Sequence, residues 1–400
     1  MANRLIYIAN IRLPTEKAHG LQIMQNCEAF ADAGEEVALW TAGRINTRAM
    51  RQVRDVWAHY GVRPNFSMRR LPCLDLLPLV PNQTHVLARA IFYLQLWTFA
   101  LSALLAARRV KTDCFYSRDP VVLLLLSLVK PRRKLVYEAH RLAHGRGGRW
   151  LQRRVMSRVG TIVAVTGPLG EDLAKRGADP ARVIVAHDGI RAERFAQMPT
   201  REEARRSLGW SPDAFIVGYV GRLHTMTMDK GVGILIDALA NVEGASLALV
   251  GGPDDMAENL RARWINFRLD PARFLYAGQV APDQVPLYLS AFDVCAMPFP
   301  YTEHFARHAS PMKLFEYMAS RRPIVASDLP AVSEVVRDGT SALLTPPGDA
   351  KALSAAIRRL RENAGLRDFL ADSAYKRVMA RYTWQERARL ILGKMRAPQI

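Results

Sequence analysis

The chain has 400 residues, half of them apolar, with 56 Lys+Arg against 37 Asp+Glu and a formal charge of +19. Such a length and apolar content support a large buried core and two domains or more. The four cysteines (Cys27, Cys73, Cys114, Cys295) are scattered, with no C-x-x-C and no paired His, which speaks against a zinc site or a disulfide framework and for reduced thiols in a cytosolic setting.

The opening run MANRLIYIAN is strand-like and lacks the longer apolar segment and small-residue cleavage site of a signal peptide, so the expectation is a cytoplasmic protein. Strand and helix then alternate. Leu5–Ala9 reads as a strand, Gly20–Ala33 as a helix stopped by Gly34, and Val37–Trp40 as a second strand. Phe115-Tyr116 is a short strand piece before a helix start at Asp119-Pro120. Lys134–Tyr137, Thr161–Val165 and Val183–Ala186 are further strands, and Pro168–Arg176 is a helix after Thr166-Gly167. This alternation implies a parallel sheet covered on both faces.

One segment in this half raises the question of a membrane. Ala90 to Ala107 is 18 residues without a formal charge, at the lower edge of a spanning length. Gln95, Thr98 and Ser102 interrupt it, and a span here would break the surrounding alternation, so it reads as a buried or interfacial helix. The charge is concentrated nearby. Residues 1–190 hold 28 basic against 14 acidic residues, and the window 101–160 alone holds 14 against 3. A cluster of that kind suits nucleic acid, anionic lipid or an acidic substrate, and it also fits an ordinary solvated surface. No helix-turn-helix, zinc finger or RNP-like motif supports nucleic acid, which leaves no nucleic-acid partner in the reading.

Around residues 187–212 the pattern loosens and then restarts. Phe215–Val220, Ser246–Gly251, Phe274–Ala277, Val294–Met297, Ile324–Ala326 and Ala342–Leu344 read as strands, with helices at Gly233–Ala240 and Val285–Leu289. Thr383-Trp-Gln-Glu386 is a capping box that opens a last helix. The second half is therefore another doubly wound sheet.

Two stretches of this half carry chemistry. Gly218-Tyr-Val-Gly221-Arg222-Leu223 ends a strand, and Lys230-Gly231 follows before a helix. Glycines let a ligand approach the backbone, while Arg and Lys supply the fork and the point charge that suit a diphosphate. In Ser310–Glu334, Ser310 is the expected N-cap and Pro311 the first helical residue, with Leu314, Phe315 and Met318 at helical spacing. Its free N–H groups and positive dipole end make an anion site, with Lys313 in the first turn and Glu316 one turn on.

These stretches together resemble family 4 retaining glycosyltransferases of the GT-B fold. Leu13-Pro14 through Lys17-Ala-His-Gly20-Leu-Gln looks like that family's N-terminal glycine loop. Val165–Leu173 and Val185-Ala-His-Asp188-Gly189-Ile190 look like the segments leading into the linker. Val250-Gly251-Gly252, Gly278-Gln279-Val280 and Ala291-Phe-Asp293 with Pro298 resemble strand ends of the donor domain, and Lys313-Leu-Phe-Glu316-Tyr-Met-Ala resembles the donor helix. The resemblance implies an α/β architecture of two Rossmann-like doubly wound domains facing a cleft. Residues 1–190, joined by a C-terminal helix crossing back at 383–400, would form the acceptor-side domain, and 191–382 the donor-binding domain.

The resemblance further implies a hexosyltransferase-type enzyme that moves a sugar from a nucleotide-sugar donor to a hydroxyl acceptor with retention, needing no cofactor and no metal. Arg222 and Lys230 would hold the donor phosphates, Glu316 the ribose, and the backbone around Met312, Lys313 and Leu314 the distal phosphate. Gly20 would approach that phosphate from the other domain, and Gly251 and Val280 would line the base pocket. Glu138 and His140 look like the loop that nears the reacting carbon, although a structurally satisfied His140 fits as well. The family usually carries a carboxylate eight positions before the ribose-binding one, and here that position is His308. A nucleotide-sugar 2-epimerase of the same fold and a catalytically silent partner subunit are the alternatives. The acceptor would be a lipid-linked or cell-envelope glycan intermediate. An anionic membrane surface is the expected second partner, met from the cytoplasmic side by an apolar helix edged by Arg108, Arg109 and Lys111 and by Arg132–Lys134, with Phe92, Trp97 and Phe99 adding to the contact if they face out rather than into the core.

Overall fold

The computed structural model describes residues 3–79, 86–225 and 228–397. They divide into two compact units, one running to His187 and resuming at Trp384, the other Asp188–Thr383.

The first unit holds seven strands: β1 (Arg4–Ala9), β2 (Glu36–Ala42), β3 (Ser67–Leu71), β4 (Cys114–Ser117), β5 (Leu135–Ala139), β6 (Thr161–Ala164) and β7 (Val183–Val185). All pairings are parallel and the order is β3-β2-β1-β4-β5-β6-β7. Alternate residues feed opposite faces, as the pleat requires. Ile6, Ile8, Trp40 and Phe115 join one core with Phe99, Ala103 and Ala107 of the helix Val86–Arg108. Leu5, Tyr7, Leu39 and Tyr116 join the other with Ile23, Cys27 and Phe30 of the helix Ala18–Asp32 and with Trp384, Ile391 and Leu392 of the helix Trp384–Arg396. The chain leaves β1 toward β2 and β3 and returns to β4 on the other side, so the crevice between β1 and β4 at their carboxyl ends is a switch point where ligands bind in such sheets.

The second unit repeats the plan with β8 (Phe215–Val220), a small antiparallel hairpin of β9 (His224–Thr225) and β10 (Met228–Asp229), then β11 (Ala245–Val250), β12 (Phe274–Gly278), β13 (Val294–Met297), β14 (Ile324–Ser327) and β15 (Leu343–Thr345). The parallel order is β12-β11-β8-β13-β14-β15, which puts the switch point between β8 and β13. Gly218 in the middle of β8 is pressed against Phe292, where an added Cβ would lie 2.1 Å from the ring.

Several expectations are corrected. β3 was not legible, because four of the five side chains in Ser-Met-Arg-Arg-Leu face solvent on the edge of the sheet. Ser310 does not cap the donor helix. Pro311 is the N-cap, with no side-chain bond, the helix runs Met312–Ala319, and the Ser310 hydroxyl accepts from Asp188 N at 2.9 Å. Phe99 points into the core while Phe92 and Trp97 face out. Arg132–Lys134 is a 3₁₀ turn in which Arg132 Nε donates to Val159 O at 3.2 Å and Lys134 Nζ to Thr112 O at 2.6 Å, while Arg133 is exposed.

Candidate functional site

In the first unit the carboxyl ends of β1, β4 and β5 gather the polar groups. The loop after β1 is pinned by Tyr60, whose hydroxyl accepts from Thr15 N at 2.6 Å and donates to Thr15 O at 2.9 Å. Gly20 fits beneath it for lack of a side chain, since a Cβ would stand 2.4 Å from Thr15 Cγ2 and 2.7 Å from the Tyr60 hydroxyl. His19 is held down at about 4, by burial first and then by Arg118 and Lys17. Arg118, just past β4, donates to Gln22 Oε1 at 2.9 Å. Asp119 caps the helix Pro120–Leu126 through Val121 N at 3.0 Å, and its own burial pushes it up to about 6. The expected helix start is thus what Asp119 does.

Glu138 is enclosed, 1% exposed, and holds a network together. Its Oε2 accepts from the Tyr116 hydroxyl, from Arg387 Nη2 at 3.0 Å and from Asn26 Nδ2 at 3.4 Å, while Oε1 faces His140 Nε2 in a short contact. Burial alone would raise its pKa, but Arg387 and His140 outweigh that and hold it well below the usual carboxylate range. The carboxylate therefore stays charged and orients the imidazole. Only His140 of the two is open to solvent, at 24% of its side chain. The geometry gives Glu138 a supporting position and leaves His140 as the group able to meet a ligand.

In the second unit the ends of β8, β11 and β12 are knitted together beyond the strands. Gly221 N donates to Val250 O at 2.7 Å, Gly251 N to Gly278 O at 2.6 Å and Leu223 N to Gly252 O at 2.9 Å. Gly251 (φ +129°) lies so close to the Gly221 backbone that a Cβ would approach its carbonyl oxygen to 2.2 Å, and Gly231 (φ +79°) is pressed to 1.8 Å of Pro298 O in the same way. Both positions need glycine on steric grounds. The Arg222 carbonyl accepts from the Tyr219 hydroxyl at 2.8 Å, and the residue is exposed. Val280 packs against the core beside this edge.

Three cations converge there. Lys230 is held down at about 8 by burial, then by Arg222. Lys313 is held well below the ordinary lysine range by burial, then by Lys230, with Glu316 opposing. The Lys313 ammonium is buried without a hydrogen-bond partner among the described residues, 3.6 Å from the centroid of Tyr219 and 5.3 Å from that of Phe299. Removing a Cβ at Gly221 makes its room, since one would stand 3.2 Å from Nζ. Burial raises Glu316, and Arg194 and Lys313 pull it back. Leu314 is wholly buried and its N–H goes to Pro311 O at 2.9 Å, so of the three helix amides proposed for the distal phosphate, those of Met312 and Lys313 are unused among the described residues. His308 lies buried in a π-helical turn, His304–His308, between β13 and that helix. Asp293 faces elsewhere. At the opposite, amino ends of the central strands β8 and β13 it accepts from Arg201 Nε at 2.8 Å, Arg205 Nη2 at 2.7 Å and Ile216 N at 2.7 Å, a structural tie. No group of three or more potential metal-binding side chains is found among the described residues.

The sequence reading missed Arg387. A signal existed: the last helix sets Trp384, Ala388, Ile391 and Leu392 on its buried stripe, and Arg387 falls on that stripe. A charge on an apolar face calls for a buried partner.

Two family models match the chain, Glycosyltransferase Family 4 over residues 22–194 and Glycosyl transferases group 1 over residues 214–363. A D-inositol 3-phosphate glycosyltransferase of Streptomyces bingchenggensis is 27% identical over 249 residues, 59% of this chain and 52% of that protein. An alpha-D-kanosaminyltransferase of Streptomyces kanamyceticus is 25% identical over 240 residues, 59% of this chain and 60% of that protein. The chain thus spans little more than half the length of the curated relatives it matches. Among solved structures, Anabaena Alr3699/HepE in complex with UDP and glucose superposes with a TM-score of 0.72 at 18% identity, over 99% of this chain and all of that one. With both sheets of the GT-B type and a family model on each half, the chain belongs to glycosyltransferase family 4, the glycosyl transferases group 1.

Proposed function

We propose that this protein is a hexosyltransferase that moves a sugar from a nucleotide-sugar donor to a hydroxyl acceptor, with retention of anomeric configuration and without a metal ion. The observation that carries this is the cationic cradle at the β8/β13 switch point, where Arg222, Lys230 and Lys313 meet the free amides of Met312 and Lys313. A nucleoside diphosphate supplies the negative charge that such a cluster lacks. Glu316 takes the ribose hydroxyls, and Gly251 and Val280 lie along the edge that takes the base. In the reaction the departing diphosphate takes the acceptor proton, while the fixed cations and helix dipole stabilise the charge that develops on it. His140, aimed by Glu138, is the group of the first unit that serves the acceptor.

The donor class is supported by the family and by the activities for which the two curated relatives are named, both glycosyl transfers. Nothing in the site favours the 2-epimerase alternative. The acceptor in this reading is a lipid-linked or cell-envelope glycan intermediate, handled by a cytoplasmic protein that rests on the inner face of the membrane. Incubation with a panel of nucleotide sugars, measuring release of free nucleotide, tests the reading. One donor should be turned over, Arg222→Ala should abolish its binding, and excess chelator should leave turnover intact. No turnover of any donor, or a loss restored by Mg²⁺ or Mn²⁺, overturns the corresponding part.

A further inference from the structure

Three neighbouring helices cover one side of the first unit's sheet: Val86–Arg108 packs on Pro120–Leu126, which packs on Gly145–Arg158. Their inner sides share a single core, through Phe99, Leu123 and Met156 among others. Their outer sides are unlike an ordinary soluble surface. Tyr93, Trp97, Leu101 and Leu105 recur every fourth residue along the first helix, with Phe92 beside them, and Trp150 stands out from the third; all six are between 43% and 58% exposed. Soluble surfaces rarely keep so continuous an apolar stripe bare. The third helix adds Arg146, Arg149, Arg153 and Arg154, all exposed, and none of the three helices contains an Asp or Glu.

We infer that this three-helix face docks on an anionic phospholipid bilayer, with the first helix lying in the interface and the arginines of the third helix meeting lipid phosphates. The inference rests on the membrane part of the function proposed above and names the surface involved. The first helix is apolar enough to cross a membrane, with a mean hydropathy of 1.7 over its best window. It is nevertheless fixed to its own domain. Gln95, wholly buried, exchanges amide hydrogen bonds with Asn10 at 2.8 and 3.2 Å, and the Thr98 hydroxyl accepts from Leu74 N at 3.1 Å. A span would expose those polar groups and the buried face to lipid, so the helix lies along the surface. Aromatic side chains on the first helix and arginines with no acidic residue among them on the third divide the work between insertion and charge attraction, which is the composition of an interfacial surface and not of a protein contact.

This changes which charges matter. Arg132 and Lys134 are bonded to backbone carbonyls at the edge where the strands begin, whereas Arg149 is exposed and Arg154 covers only the Trp150 ring at 5.9 Å. The third helix also starts five residues after His140, so a lipid-anchored acceptor held at its first turn is presented close to the proposed reactive edge.

The test is co-sedimentation of the full-length protein with vesicles of phosphatidylcholine alone or mixed with phosphatidylglycerol, without nucleotide. Binding is expected to the mixed vesicles, weakened by salt. The exposed double change Arg149→Glu with Arg154→Glu should lower partitioning by roughly tenfold or more, and Trp97→Ser with Leu101→Ser should remove the salt-resistant part. Arg132→Glu, at a side chain already bonded to Val159 O, should change little. Nucleotide release from soluble donor should be unchanged in all three variants, which separates this face from the transfer chemistry. No binding to mixed vesicles, or a loss confined to the Arg132 variant, overturns the inference. So does a wild-type dimer that Trp97→Ser with Leu101→Ser dissociates, which would give the face to a second copy of the chain.

Discussion

Arg387 Nη2 lies 3.0 Å from Glu138 Oε2, both side chains buried, across 249 positions of sequence. The guanidinium also donates to the carbonyl of His187 at 2.9 Å and to that of Ala186, so the last helix, β5 and the end of β7 meet at one carboxylate. Removing one partner leaves a buried charge uncompensated, which costs about 3–5 kcal/mol. Arg387→Met should therefore lower unfolding free energy by that order, and Arg387→Met with Glu138→Gln should restore a substantial part. Denaturant titrations of wild type, Arg387→Met, Glu138→Gln and the double variant check this. A double variant no better than the single would show that the pair is not the unit of stability.

Glu138 also sets a pH dependence. Its folded pKa lies below its unfolded value of 4.5, so the network's contribution is fully present above that value and is lost as pH falls toward the folded one. Acid titration of wild type should show a loss of stability below about pH 4.5, and that loss should be smaller in Glu138→Gln. Equal acid sensitivity in the two proteins contradicts the assignment.

His140 is the partly open end of that network. Removing a positioned hydrogen-bonding group that acts on the transition state typically slows turnover by about 10²–10³-fold. His140→Ala should reduce kcat on this scale while leaving donor KM and melting temperature near wild type. A drop in melting temperature with normal kcat would make His140 a structural residue.

Lys230, held down at about 8 by burial and Arg222, bears on donor affinity. A bound diphosphate favours its charged form, so binding takes up protons near and above pH 8, and affinity falls as pH rises from 7 to 9. Lys313 and Glu316 also face this edge. Calorimetry in two buffers of different ionisation enthalpy measures the uptake directly. Lys230→Arg should flatten the fall, because guanidinium does not deprotonate in this range. A pH-independent affinity in wild type removes Lys230 from the phosphate cradle.

Much of this was legible because the chemistry is local. Strands such as Phe215–Val220 and Ile324–Ser327 are buried on both faces and read as continuous apolar runs between turns. The glycine loop and the Lys313–Glu316 helix each fit within a few residues. What stayed hidden is what depends on distant partners. Arg387 has no neighbour in sequence that announces Glu138, and the Tyr219 and Phe299 rings around Lys313 come from two other segments. Ser310 has the chemistry of a cap but is engaged by Asp188. Arg132 and Lys134 look like free cations in sequence until their carbonyl acceptors are seen.

The helix Val86–Arg108 allows the sharpest comparison, since its two sides should respond oppositely to substitution. On the inner side Gln95 meets Asn10, the first residue after β1, in the paired amide bonds at 2.8 and 3.2 Å, and touches Cys73 Sγ at 3.4 Å. Gln95→Leu leaves the Asn10 amide without those partners, a loss of about 1–3 kcal/mol for a buried polar group. Asn10→Ala in the same background should then add little, because the interaction is already gone, giving a coupling of about 0.5–3 kcal/mol in a double-mutant cycle. On the outer side Phe92→Ser removes an exposed ring and should change folding stability by no more than about 0.5 kcal/mol, while weakening vesicle binding. Denaturant unfolding of wild type, both single variants, the double variant and Phe92→Ser measures all of these terms. Additive effects of Gln95→Leu and Asn10→Ala would mean that the pair does not fasten the helix to β1. A large loss on Phe92→Ser would mean that the outer side is packed in solution and is no docking surface.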